Sequence, residues 1–294
     1  MTKDIAKSIK AKLLCLAKKK QLDYQLLIIR YLYERLLYRL SISDYCEKFY
    51  LKGGALLYAF EKEFPRPTLD IDFLVVKIKN DIAHIRDVFM EICSLPCDED
   101  GIDFDINAIT TEEISENKAY TGIRVSLVAH LDSIRQVMKM DIGFGDVVTP
   151  KPMSIVYPAL LEELPIATIW AYSLESVVAE KFQAMVELSE VNSRYKDFYD
   201  VYKILKNQEL NDNALSAAIH ATFQNRGTRY FEPHPLFTKE FAISEERNKH
   251  WTRFLKKIKQ DNDLSFETVM SLIVSKLKPI YETLNRVNYS NSNN

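Results

Sequence analysis

Asp70 and Asp72 stand two residues apart in Leu69-Asp70-Ile71-Asp72-Phe73-Leu74-Val75-Val76, a stretch otherwise apolar and rich in β-branched residues. Read as a strand, it sets both carboxylates on one face about 6.6 Å apart, at ~3.3 Å rise per residue. Leu69, Ile71 and Phe73 then line the other face. Two carboxylates so placed repel each other and lose solvation. A hard divalent cation, Mg²⁺ or in its place Mn²⁺, relieves both problems and takes phosphate oxygens at the same time. Gly53 and Gly54, two of the chain's seven glycines, precede the pair, with fifteen residues between Gly54 and Asp70. Glycines there let backbone N–H groups approach a phosphate with no Cβ in the way. Arg66 and Thr68, just before the strand, are phosphate or substrate contacts on this reading and solvated loop residues otherwise.

A third carboxylate is sought on a neighbouring strand, which lies about 4.8 Å away. Asp141, in Val137-Met138-Lys139-Met140-Asp141-Ile142-Gly143-Phe144-Gly145-Asp146, is the first candidate. Its plain alternative is a strand-end aspartate capping a turn at Gly143 and Gly145. Asp103 and Asp105 alternate on another strand and are the rivals; Asp146 reads as a turn residue. Further along, Lys181 shares a helical face with Val177 and Met185, four residues to either side. A lysine on an apolar stripe ordinarily snorkels at the core edge. Asp197 and Asp200 follow in Arg194-Tyr195-Lys196-Asp197-Phe198-Tyr199-Asp200, and Asp200 is placed to pair with Lys196 or Lys203.

The elements that must hold these residues follow from periodicity. Helices are expected at 3–20 and 23–40, with Arg30, Arg35 and Arg39 on a solvated face of the second. A short helix at about 43–48 leads to the glycines, a helix covers 54–63, and Pro65 and Pro67 end it before the Asp70 strand. A helix at 81–94 precedes strands at about 102–109, 121–130 and 136–144. The acidic run Asp98-Glu99-Asp100-Gly101 departs from the spacing of a calcium loop and reads as a solvated turn. Pro150, Pro152, Pro158 and Pro165 mark a boundary near 148–168. Beyond it the pattern is helical: 173–190 with Ser173 as its cap, then 194–207, 211–224, 244–260 and 265–286.

The ordered string Lys52-Gly53-Gly54-Ala55-Leu56, then Arg66-Pro67-Thr68-Leu69-Asp70-Ile71-Asp72-Phe73, resembles the AbiEii/AbiGii toxin family within the DNA polymerase β-like nucleotidyltransferase superfamily. Ala55 stands where the family often has Ser or Thr, and the spacer carries extra residues near 61–64. EKFQAM followed by RYKDFYD is similar to the family's second conserved region. That match assigns Lys181 to the nucleotide phosphates and Asp197 to the catalytic site; DIGFGD likewise supports Asp141 as a metal ligand. The resemblance implies transfer of a nucleotidyl group from an NTP, with two Mg²⁺ ions and release of pyrophosphate. It also implies an RNA acceptor, tRNA foremost, and growth inhibition relieved by a cognate AbiEi-like antitoxin.

Composition bounds the rest. The 294 residues are 47% apolar with net charge −2, which fits a globular protein without a global basic field. Cys15, Cys46, Cys93 and Cys97 form no C-x-x-C pair and suit a reducing compartment. No apolar run reaches the ~18 residues of a membrane helix, the N-terminus lacks a signal core, and a cytoplasmic location is expected. There is no G-x-S-x-G, H-E-x-x-H or Walker loop. The fold expected is α+β (α/β): a nucleotidyltransferase-like mixed sheet with flanking helices over 1–155, a helical domain over 156–287 closing the active site, and a disordered tail at 288–294. A non-catalytic nucleotide- or RNA-binding module and a metal-dependent nuclease are the competing functions.

Overall fold

A computed structural model describes residues 2–60, 66–117, 120–259 and 263–290. The expected insertion at 61–64, the proline stop at Pro65 and residues 291–294 of the expected tail lie outside these. The chain divides into two compact units, residues 1–145 with 152–171 and residues 146–151 with 172–294.

The first unit is a mixed sheet with helices. Its elements are α1 (Thr2–Lys20), α2 (Tyr24–Ser41), β1 (Phe49–Lys52), α3 (Gly53–Phe60), β2 (Ile71–Val75), α4 (Ile82–Ser94), β3 (Ile102–Asn117), β4 (Tyr120–Leu131), β5 (Ile134–Phe144), β6 (Met153–Val156) and β7 (Thr168–Ala171). Seven strands lie in the order β3-β4-β5-β2-β1-β7-β6. β2 is central, parallel to β5 on one side and antiparallel to β1 on the other. Alternation along β2 does what the sequence predicts: Ile71 and Phe73 are fully buried, and Phe73 meets Phe49, which in turn meets Phe89 of α4, both edge-to-face. Asp72 is left on the opposite side of the strand, the arrangement a period of two requires. Leu69, expected on the apolar face, is 60% exposed, because the strand starts only at Ile71.

Three expectations for this unit are corrected. The segment before the glycines is a turn followed by the strand β1, not a helix. The proline-rich span 148–168 is not simply a linker, because β6 and β7 extend the sheet beyond β1; the sheet unit therefore runs to Ala171 and not to 155. The basic residues of α2 are not on a solvated face. Arg35 and Arg39 are buried, and Arg30 lies with its guanidinium 4.5 Å from the Tyr58 ring centre. Arg39 donates to Asp100 at 2.7 and 3.3 Å. Asp100 is itself fully buried and also accepts from the Ile102 N–H, while its carbonyl accepts from Tyr31. The acidic run 98–101 is thus a turn whose Asp98 and Glu99 are exposed, as expected, while Asp100 is a buried joint. Its Gly101 has φ +66°, and a β-carbon there would stand 2.7 Å from Ala6 Cα of α1.

The second unit contains α5 (Leu174–Leu188), α6 (Tyr195–Asn207), α7 (Asp212–Asn225), α8 (Lys239–Ile243), α9 (Glu245–Lys257) and α10 (Phe266–Ser290). Ser173 caps α5 through the Ser176 N–H, as its sequence position predicts. Phe182, Phe198, Phe223, Trp251, Phe266 and Tyr281 are all buried and form the aromatic core. α8 had no counterpart in the sequence reading, and α10 runs through residues 288–290, the start of the expected disordered tail. Among the described residues no helix is long and apolar enough to cross a membrane.

Candidate active site

In the sheet unit, Asp72 and Asp141 are direct register partners on the parallel pair β2–β5. Asp70 lies just before β2, and its Oδ1 accepts from the Thr68 hydroxyl at 2.9 Å. The rival Asp105 is elsewhere. It sits on β3, two strands from β5, and its carboxylate accepts from the Asn107 and Ala108 N–H groups at the bulge there. Asp103 shares that strand and is exposed.

The paired glycines serve this carboxylate before they serve any ligand. Gly53 has φ +68°, and a β-carbon on it would stand 1.9 Å from Asp72 Oδ2. One on Gly54 would stand 2.9 Å from Thr68 Oγ1 and 3.2 Å from an Arg66 Nη2 nitrogen. The β1–α3 turn therefore lies directly under the Asp72 carboxylate, Thr68 and a buried Arg66. Arg66 is not the solvated loop residue its alternative reading made it.

Two residues that matter here were not singled out in the sequence. Tyr33 of α2 places its hydroxyl between β5 and the segment before β2: it donates toward Leu69 O at 2.9 Å and Lys139 O at 3.0 Å, and accepts from the Lys139 N–H at 3.1 Å. Burial first, and then the nearby charges of Asp70, Asp72 and Asp141, push its phenol well above the ordinary tyrosine value. A single hydroxyl thus bridges β5 and the segment that enters β2 beside Asp70. The other is Arg124 on β4, register partner of Asp141. It grips Asp141 with both arms, Nε to Oδ1 at 2.7 Å and Nη2 to Oδ2 at 2.8 Å. A signal existed: Arg124 is a charge between Ile123 and Val125, the same pattern that drew attention to Asp141. Register continues to both sides, with Lys52 opposite Asp72 and Glu112 opposite Arg124. Five strands thus carry one row of charges, Lys52, Asp72, Asp141, Arg124 and Glu112.

A hard cation was expected on Asp70, Asp72 and Asp141. Among the described residues no group of three His, Cys, Asp or Glu is gathered to hold a metal ion. Asp141 is adjacent but engaged by Arg124. The donor chemistry of Asp70 and Asp72 nevertheless fits Mg²⁺, which uses one or two protein carboxylates and completes its shell with water and phosphate.

In the helical unit, Lys181 and Asp197 are brought together. Lys181 Nζ lies 2.7 Å from Asp197 Oδ1 and 2.9 Å from Asp200 Oδ2. All three side chains are buried. Asp200 therefore pairs with Lys181, where Lys196 or Lys203 had been expected, and Lys181 is no snorkelling residue. Arg194 Nε reaches Asp197 Oδ2 at 2.7 Å but off the line of a hydrogen bond, so that contact is an ion pair only. Burial pushes the Asp197 carboxyl up; Lys181 and Arg194 outweigh it and hold the group below the ordinary carboxylate range. Asp146, read as a turn residue, is tied to Arg226 at 3.0 Å, and the same Nη2 lies 3.3 Å from Glu180.

A mixed sheet whose central strand bears Asp-x-Asp over a glycine turn, followed by a helical unit with a buried Lys-Asp pair, defines a protein of the nucleotidyltransferase class. Residues 35–272 match the family described as nucleotidyl transferase AbiEii toxin, type IV TA system. The match spans more than half of the chain, and the chain belongs to that family. Among solved structures it is similar to JHP933 from Helicobacter pylori, with 15% identity, TM-score 0.49 and coverage of 92% of this chain and 97% of that one. A second H. pylori structure gives 16% identity, TM-score 0.47 and coverage of 90% and 99%. An antigenic nucleotidyltransferase-like protein from Paracoccidioides brasiliensis gives 12% identity, TM-score 0.38 and coverage of 86% and 92%. Comparison with curated proteins gives no match.

Proposed function

We propose that this nucleotidyltransferase-family toxin transfers a nucleotidyl group from an NTP to an RNA acceptor, tRNA foremost, and that the modification inhibits growth until a cognate antitoxin intervenes. The observation that carries the reading is the seating of Asp72. Its carboxylate rests on the Cβ-less face of Gly53 and lies in register with Asp141, with Asp70 two residues earlier. Asp70 and Asp72 together offer the paired carboxylates that a metal-held polyphosphate takes. Asp70 and Asp72 would hold Mg²⁺ or Mn²⁺, which when bound neutralises phosphate charge and activates the attacking hydroxyl.

The protein's own groups then have separable tasks. Thr68 orients the Asp70 carboxylate through its hydroxyl. Tyr33 ties the entry to β2 to β5 and so helps to hold Asp70 beside the strand pair. Gly53 and Gly54 permit the close approach of the turn to Asp72 and Thr68, and Arg66 adds positive charge beside that turn. For Lys181 and Asp197 we propose the phosphate and catalytic roles. Lys181 and Arg194 hold the Asp197 carboxylate ionised at neutral pH.

The test is incubation of the purified protein with each labelled NTP and total RNA. Label on RNA supports transfer. Shortened RNA without label points instead to a nuclease, and neither outcome to a binding module.

A further inference from the structure

We infer that Arg124 is a polyphosphate-binding residue of this site and that Asp141 is its positioning residue, not a third metal ligand; the inference rests on the nucleotidyl-transfer reading above. Both Asp141 oxygens are already used, by Nε at 2.7 Å and Nη2 at 2.8 Å. A metal ion at Asp141 would have to break a bidentate, charge-assisted pair, one of the stronger polar contacts available to a protein. Exposure points the same way. The Asp141 side chain is 13% exposed and the Arg124 side chain 33%, so a ligand arriving on this face meets the guanidinium first.

The fork leaves Nη1 of Arg124 unused by Asp141. Its two N–H groups are rigidly aimed once the other two nitrogens are fixed, and a planar guanidinium matches phosphate oxygens in the same way as carboxylate oxygens. Position is suitable as well. Arg124 stands two strands from Asp72 along one row, about 10 Å between backbones at ~4.8 Å per strand. A long side chain and a metal-held triphosphate close that gap from both ends. The row itself explains why an arginine is placed there. Asp72 and Asp141 are like charges directly opposite each other, which is unfavourable. Arg124 offsets the Asp141 charge from one side of the row, and Lys52 stands opposite Asp72 on the other. The Asp141 hydrogen bond, and then the charges of Asp141, Glu112 and Asp70, hold the guanidinium firmly protonated against the burial that opposes it.

Mn²⁺ binding, read by electron paramagnetic resonance with a non-hydrolysable NTP analogue, and calorimetric affinities for the analogue and for the bare nucleoside separate the possibilities without turnover. Arg124→Gln should weaken the analogue roughly ten- to hundred-fold and leave the nucleoside unchanged. Arg124→Lys should recover only part. Asp141→Asn should weaken the analogue similarly and keep Mn²⁺, whereas Asp72→Asn should lose Mn²⁺. The double variant Arg124→Gln/Asp141→Asn, which retires both charges and so avoids an orphaned partner, should be no weaker than Arg124→Gln alone and should still bind Mn²⁺. Loss of Mn²⁺ in that double variant, or unchanged analogue affinity in Arg124→Gln, overturns the inference while the transfer reading stands. A wild-type protein that binds no Mn²⁺–analogue complex overturns both.

Discussion

Gly53 and Asp72 are in contact across a gap that only hydrogen can fill: a β-carbon on Gly53 would stand 1.9 Å from Asp72 Oδ2, at φ +68°. Gly53→Ala therefore carries two separate penalties. The left-handed backbone costs about 1–2 kcal/mol for a residue with a side chain, and the carboxylate must move away. Gly145 is a natural control, with φ +79° and nothing within 4 Å of its missing β-carbon. Alanine there should cost stability by a similar backbone term alone. Urea titrations should show destabilisation of both variants, larger for Gly53→Ala, and transfer assays should show loss of labelling only in Gly53→Ala.

Asp70→Asn with Asp72→Asn removes the charge at nearly constant volume. The folded double variant should no longer inhibit growth when expressed. Undiminished toxicity from a variant with a wild-type circular dichroism spectrum and melting curve would remove the metal assignment.

Lys181→Ala should be strongly destabilising, not neutral as for a core-edge lysine. It leaves Asp197 and Asp200 buried without the ammonium between them. Removing one partner of a buried pair typically costs about 3–5 kcal/mol. The same magnitude applies in the sheet unit to Asp100→Ala, which orphans the buried Arg39. Equilibrium urea unfolding checks both, and a loss below about 1 kcal/mol in either case would show that water reaches the remaining charge.

The contrast between these two pairs and the metal strand shows what a sequence displays. Period-two alternation around Asp70 and Asp72, and the helical stripes of 3–20, 23–40, 173–190 and 194–207, are local and were legible. Asp141 was legible because strand pairing repeats the pattern of the strand beside it. Burial of charge was not. Arg39 and Asp100 are 61 residues apart, and each alone looks like a solvated group. β1, β6 and β7 are four residues each, too short to show a period, and prolines around the last two resemble a linker. Arg124 and Tyr33 were legible as residue types but not as neighbours, because their roles depend on register and on a hydroxyl reaching between β5 and the entry to β2.

Stability of the helical unit should fall on mild acidification. His234 is buried, accepts from the Leu236 N–H at Nδ1 and faces the Val186 carbonyl with Nε2. Burial holds its pKa below the ordinary 6.5, against the Val186 bond. The unfolded chain thus takes up this proton first, so the contribution is complete above about pH 6.5 and is lost as pH falls toward the folded value. Asp197, depressed below its ordinary 3.8, adds a second loss only below about pH 4. Urea midpoints should drop between pH 7.5 and 5, and His234→Gln should reduce that drop, with His220, whose pKa burial also lowers, supplying the remainder; equal wild-type midpoints at both pH values would contradict the assignment.

The strand order has a consequence for the newly made chain. β2 carries the aspartates early, but its parallel neighbour β5 begins only at Ile134, and β7, which flanks β1, only at Thr168. Chains emerge at roughly 5–20 residues per second, so for several seconds a ribosome holds both aspartates without the strand that lines up Asp141 and Arg124. On the proposed function, such a layout should keep the site inert while the chain is being translated. Interrupted synthesis before residue 134 should leave fragments that contain the Asp-x-Asp sequence and yet do not label RNA.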